Sequence, residues 1–143
     1  VKRDVLPILR GTVGETAWSG FLNDHFARQV CTVDTSLRAF GDSGCDLAVG
    51  TRSLQVKTRM RAPNLVRRVK ENKRLARLSS DLFLFAEWGG GKTCLLLGWQ
   101  WREQIQTIAT LERSPVGQHW NLVILDEDLE PPVGLLSELE GAF

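Results

Sequence analysis

The 143-residue sequence predicts a mixed α/β domain, and three observations carry that expectation. Trp18, Phe21, Leu22 and Phe26 recur at three- and four-residue spacings, the pattern of an amphipathic helix. Residues 30–58 are β-rich stretches separated by glycine-containing turns, as in an antiparallel meander. Residues 82–86 read Leu-Phe-Leu-Phe-Ala, apolar on both faces of a strand, which suits the centre of a sheet. A chain of this length makes one domain that buries roughly two thirds of its unfolded surface. Residues 1–143 are therefore expected to form a single unit, with residues 131–143 as a short acidic tail.

The first helix is expected over residues 12–29, with Glu15 on its apolar stripe one turn before Trp18. Strands follow over residues 30–40, 45–49 and 53–58. Strand side chains alternate in direction, so Cys45, Leu47 and Val49 share one face and Asp46 and Ala48 the other. Gln55 and Lys57 likewise share a face, with Leu54 and Val56 opposite. If the two segments pair as a hairpin through Gly50-Thr51-Arg52, Asp46, Gln55 and Lys57 converge at one point. Pro63-Asn64 opens a second helix to about residue 79, with Leu65, Val66, Val69, Leu75 and Ala76 toward the core. After the central strand, Gly89-Gly90-Gly91-Lys92 turns the chain into a strand over residues 93–99. A helix to about residue 111 and a strand over residues 122–125 complete the body before Pro131-Pro132.

Lys and Arg number 18 against 17 Asp and Glu, so net charge alone says nothing of partners. The distribution is informative. Arg59, Arg61, Arg67, Arg68, Lys70, Lys73, Arg74 and Arg77 fall within one stretch that holds a single acid, Glu71. Six acids and no Lys or Arg occupy the stretch from Asp126 to Glu140. Such polarity suggests a basic binding surface. The three cysteines, Cys31, Cys45 and Cys94, have neither disulfide-framework nor zinc-site spacing, which fits a reducing compartment. The longest apolar runs are strand-sized, far below the roughly 20 residues that span a bilayer. Residues 5–9 are too short and proline-broken for a signal peptide's apolar region, and a cytoplasmic protein is expected.

Phosphodiester hydrolysis needs an activated water, neutralisation of charge on the transition state and help for the leaving oxygen. Carboxylates holding Mg²⁺, with one lysine, supply these. Asp46 reads as the principal metal ligand, with the Gln55 amide oxygen and the Val56 carbonyl beside it, all oxygen donors suited to a hard cation. Lys57 would orient the attacking water and stabilise developing negative charge.

Gly14-Glu15 on an early helix, Gly44-Cys45-Asp46-Leu47, then Gln55-Val56-Lys57-Thr58 resembles the PD-(D/E)XK nuclease superfamily over about residues 11–88. Small Holliday junction resolvases look nearest, together with intron-type homing endonucleases that use a Gln-x-Lys variant. The resemblance implies a restriction-endonuclease-like core, with a mixed central sheet flanked by helices. It also implies Mg²⁺-dependent DNA cleavage, with Mn²⁺ as a possible substitute, by a homodimer or higher homo-oligomer. Position by position, Glu15 matches the helix glutamate, Asp46 the aspartate, Gln55 the second acid and Lys57 the lysine. Cys45 stands where the motif usually has proline, and Gln55 removes one negative charge from the metal site, for which Glu15 or Asp42 would compensate. Small size favours a structure-selective junction resolvase, whereas Gln-x-Lys favours a sequence-specific homing or restriction-type enzyme. The missing acid leaves a third reading, an inactive nucleic-acid-binding module on a nuclease fold.

Plainer readings accompany several of these residues. Thr12-Val13-Gly14-Glu15 also fits a helix capping box, in which the acid bonds the N-cap amide. Asp42, in Gly41-Asp42-Ser43-Gly44, fits a turn. Gly91-Lys92-Thr93 lacks the earlier glycine of a phosphate loop, Ala86 standing there instead, and a strand-like run follows, so a glycine hairpin is expected. His25 and His119 lack a neighbouring nucleophile and read as structural, whereas Trp88, Trp99 or Trp101 is placed to stack on an unpaired base if exposed. Arg59, Arg61, Arg67, Arg68, Lys70, Lys73 and Arg74 are the candidate DNA-backbone contacts, directly after the candidate catalytic strand.

Overall fold

The computed structural model describes residues 2–26, 32–33, 47–70, 78–115 and 119–141. Helix α1 (Lys2–Phe26) is followed by strands β1 (Thr32–Val33), β2 (Leu47–Val49), β3 (Arg52–Arg59), β4 (Asn64–Lys70), β5 (Leu82–Glu87) and β6 (Leu95–Trp101). Helix α2 (Arg102–Ile108), strands β7 (Thr110–Arg113) and β8 (His119–Ile124), a 3-10 turn at Asp126–Asp128 and helix α3 (Pro132–Glu140) complete the chain. The expected mixed α/β architecture is present. One mixed sheet runs in the order β1-β2-β3-β5-β6, with β3 and β5 parallel and its other neighbours antiparallel. A second, antiparallel sheet has the order β4-β8-β7.

The alternation of β3 and β5 sorts the molecule into two cores. Leu54, Val56, Leu82, Leu84 and Ala86 face Trp18 and Leu22 of α1 and Leu135, Leu136 and Leu139 of α3. On the other side Phe83 and Phe85 pack with Val66, Leu122 and Ile124 of the second sheet and Ile105 of α2. Strand β5 is buried from Leu82 to Ala86, as its unbroken apolar run requires. Its register against β6 slips by one residue between Phe85 and Ala86. At that irregularity the Trp18 indole Nε1 donates to the Phe85 carbonyl at 3.2 Å, pinning α1 to the central strand. Opposite Phe85 stands Gly98, with φ +151°, where an added Cβ would come within 2.5 Å of the Glu130 carbonyl oxygen. That close approach lets Trp99 exchange backbone hydrogen bonds with Glu130, at 3.0 and 2.9 Å.

Three local expectations change. The second helix is not observed: residues 64–70 form β4, paired with β8, while residues 71–77 lie outside the described segments. The spacing of Leu65, Val66 and Val69 fits a helix, but β-branched Val66 and Val69 also suit a strand, and pairing with β8 decides the outcome. Helix α1 begins ten residues earlier than expected and runs through Thr12, whose hydroxyl donates to the Ile8 carbonyl at 3.1 Å. Thr12 is therefore a helix-interior residue, and the capping-box reading of Glu15 does not hold. The segment expected as an acidic tail contributes α3 over residues 132–140, opened by Pro132, and its leucines enter the first core.

Candidate functional site

The hairpin expected around Gly50-Thr51 forms between β2 and β3. Leu47 pairs with Leu54 and Val49 with Arg52 around Gly50-Thr51, with Gly50 at φ +56°, a value glycine adopts without a steric penalty. Asp46, the residue before β2, lies outside the described segments, as do Asp42, Lys73 and Arg74. Gln55 pairs with Phe83 and Lys57 with Phe85 across the parallel β3–β5 ladder, so both side chains start from the face turned toward the second sheet. Gln55 is buried and Lys57 half-buried. Val56 is part of the first core.

Lys57 opens into a cleft of about 460 Å³, bounded by Arg10 of α1, Thr58 and Arg59 of β3, and Arg67 and Arg68 of β4. The described lining contains five cationic residues and no acidic one. Lys57, Arg67 and Arg68 have no ion-pair partner among the described residues. Among the described residues Arg10 approaches only the Met60 sulfur, at 4.0 Å, and its Nε is buried without an acceptor. Leaving a buried donor unsatisfied costs about 1–3 kcal/mol, more for a charged group.

Arg59 differs from the other four. Its Nε donates to Glu87 at 2.9 Å, and its two Nη atoms donate to the two Asp126 carboxylate oxygens at 2.7 and 2.9 Å. Asn64 joins the network, accepting from Arg59 at 3.0 Å and donating to Asp126 at 2.7 Å. Burial opposes the Arg59 charge, but hydrogen bonds to Asp126 and Glu87 outweigh it and hold the guanidinium above its ordinary pKa. The Arg59 hydrogen bonds hold the Asp126 carboxyl below the usual carboxylate range, against the effect of its partial burial. Expected to grip DNA, Arg59 is instead a joint between the two sheets, already neutralised. Arg61 is exposed beyond the end of β3, and Lys70 ends β4 opposite His119.

Glu15 is a half-buried residue of α1, the helix laid over the Leu54/Val56 face of β3. It therefore starts from the opposite side of the strand to Gln55 and Lys57. Among the described residues no three His, Cys, Asp or Glu side chains are grouped to hold a metal ion. Glu15 and Gln55 alone do not make such a centre, and Asp46 is the carboxylate any metal site here would require. The tryptophans expected to stack on bases are engaged in the protein. Trp99 is buried and donates to the Pro131 carbonyl at 2.8 Å, Arg52 lies over the Trp101 ring, and Trp88 donates to the Gly91 carbonyl at 2.7 Å across the glycine turn.

Arg10 is the residue that motif reasoning passes over. It precedes Gly14, Trp18 and Leu22 at four-residue intervals, so its position on an otherwise buried stripe was the available signal. Gly14 lets the helix approach β3, since a Cβ there would collide with Thr58 Oγ1. That approach brings Arg10, one turn earlier, to the cleft. Comparison with family models, curated proteins and solved structures finds no match, and the residues of the chain carry the functional reading.

Proposed function

We propose that this protein is a metal-dependent DNA endonuclease on a restriction-endonuclease-like core, acting on branched DNA such as a four-way junction, as a homodimer. The observation that carries the reading is Lys57, without a counter-ion among the described residues, in a cationic cleft and on the strand that forms a hairpin with the segment following Asp46. A phosphodiester drawn into that cleft meets Lys57, Arg67 and Arg68. There the lysine ammonium lowers the cost of negative charge developing on the phosphoryl oxygens. Asp46, with Gln55 and the Val56 carbonyl, would hold Mg²⁺ or Mn²⁺, which when bound supplies an activated water and further charge neutralisation, whereas Glu15 starts from the other side of β3. The cleft reads backbone phosphates, which suits recognition by DNA shape.

One observation favours a second reading: the described cleft lining contains cations and no acid, as in a module that binds nucleic acid without cutting it. Labelled four-way junctions, flaps and linear duplexes incubated with Mg²⁺, Mn²⁺ or EDTA separate the two. Metal-dependent cutting that falls at least about a hundredfold in Lys57→Ala and Asp46→Asn, with DNA binding retained, is the expected result. Junction cutting without duplex cutting assigns the resolvase class; site-specific duplex cutting assigns the homing or restriction class. Binding without cutting by any form except Gln55→Glu establishes the binding module and rejects the enzyme.

A further inference from the structure

We propose that the cleft between α1 and β4 seats a phosphomonoester, so that the protein recognises the phosphorylated end of a nucleic-acid strand through Arg10, Lys57, Arg67 and Arg68. The inference rests on the nucleic-acid part of the function above and is independent of cutting. Its first support is charge. Four cationic residues line one cleft with no carboxylate in its described lining, while the fifth, Arg59, is neutralised by Glu87 and Asp126. A backbone phosphodiester brings one negative charge, whereas a terminal phosphate carries about −1.5 to −2 near neutral pH and three acceptor oxygens. The second support is Arg10, with its Nε shut from solvent and, among the described residues, neither an acceptor for it nor a carboxylate bonded to its guanidinium. A buried donor without an acceptor is costly, and a phosphate oxygen beside it removes much of that cost. The third is size. At about 460 Å³ the cleft accommodates one nucleotide-sized group, the range of small-ligand sites. A terminal phosphate with its nucleotide fits such a space.

Single-stranded oligonucleotides of one sequence, bearing a 5′-phosphate, a 3′-phosphate or neither, are titrated by fluorescence anisotropy in EDTA at fixed salt. Adenosine 5′-monophosphate and inorganic phosphate compete in parallel. The expected result is binding tightened about tenfold by a terminal phosphate at one end, and the preference lost in Arg10→Gln. Arg68→Gln, on the exposed wall of β4, is the second variant should Arg10→Gln fail to fold, and it is expected to weaken the preference. Equal affinity for the three oligonucleotides, with binding still salt-sensitive, overturns the inference and leaves the DNA-binding reading standing. Saturable binding of the mononucleotide with no oligonucleotide bound supports the phosphomonoester site and overturns the nucleic-acid reading. A preference unchanged in both variants overturns the assignment.

Discussion

Gly11 and Gly14 lie within one turn of α1 yet face different surroundings. Nothing stands within 4 Å of a Cβ built on Gly11 or on Gly20, so Ala at either position should stabilise the helix by up to about 1 kcal/mol. At Gly14 the same substitution collides with Thr58 Oγ1, with the Thr58 Cβ itself only 3.0 Å away. Overpacking of this kind costs about 1–3 kcal/mol, enough to outweigh the gain in propensity. Urea denaturation should therefore show Gly11→Ala and Gly20→Ala shifted to higher midpoints and Gly14→Ala to a lower one. Adding Thr58→Ala to Gly14→Ala should recover part of the loss, and strict additivity would show that the contact is not the cause. The sequence presents Gly14-Glu15 as a motif pair but offers no sign of why glycine is needed, because the reason is a strand more than forty residues away. Lys57 is the reverse case: period-two alternation alone gives its face and its partner Gln55, and the β3–β5 register agrees.

Hairpins and buried strands were readable because their signals are local, a glycine turn or an unbroken apolar run, whereas β4 was not. Its Leu65, Val66 and Val69 satisfy a helical spacing, and only β8, some fifty residues later, makes it a strand. The Arg59 joint was hidden for the same reason. A basic run and an acidic stretch are visible separately, but the side-chain fork that ties β3 to β5 and to the turn after β8 exists only in the fold. This joint makes a pH prediction. Asp126 has a folded pKa below its unfolded value, so its contribution is complete above the unfolded pKa of about 4 and is lost as pH falls through the folded value. Asp126 is about half exposed, with side-chain accessibility of 54%, which limits the pair to roughly 1 kcal/mol or less. Asp126→Asn should thus be less stable than the wild type at pH 7, and the gap should close as pH drops below about 4. A gap that persists undiminished at pH 2 would show that the loss comes from packing rather than charge.

At the scale of the whole molecule, a net charge of +1 gives no general attraction to DNA, so any strong salt dependence must come from local asymmetry. The two core clusters lie on opposite faces of the same central strands, and the Arg59 joint crosses between the sheets, so cleft residues from α1, β3 and β4 are held in one framework. That rigidity matters because counterion release depends on how many cations meet phosphates together. Arg10, Lys57, Arg67 and Arg68 are the cleft cations that no described carboxylate neutralises. If these four are the contacts, the slope of log affinity against log salt should be about −3 for single strands, at roughly −0.7 per contact. Affinity then falls roughly sixtyfold between 50 and 200 mM salt. Arg67→Ala with Arg68→Ala should flatten the slope by about 1.4, whereas Arg59→Ala should lower stability and leave the slope near its original value. A flattening caused by Arg59→Ala and not by the β4 pair would mean that the Asp126 fork opens on binding and that phosphate displaces the carboxylate.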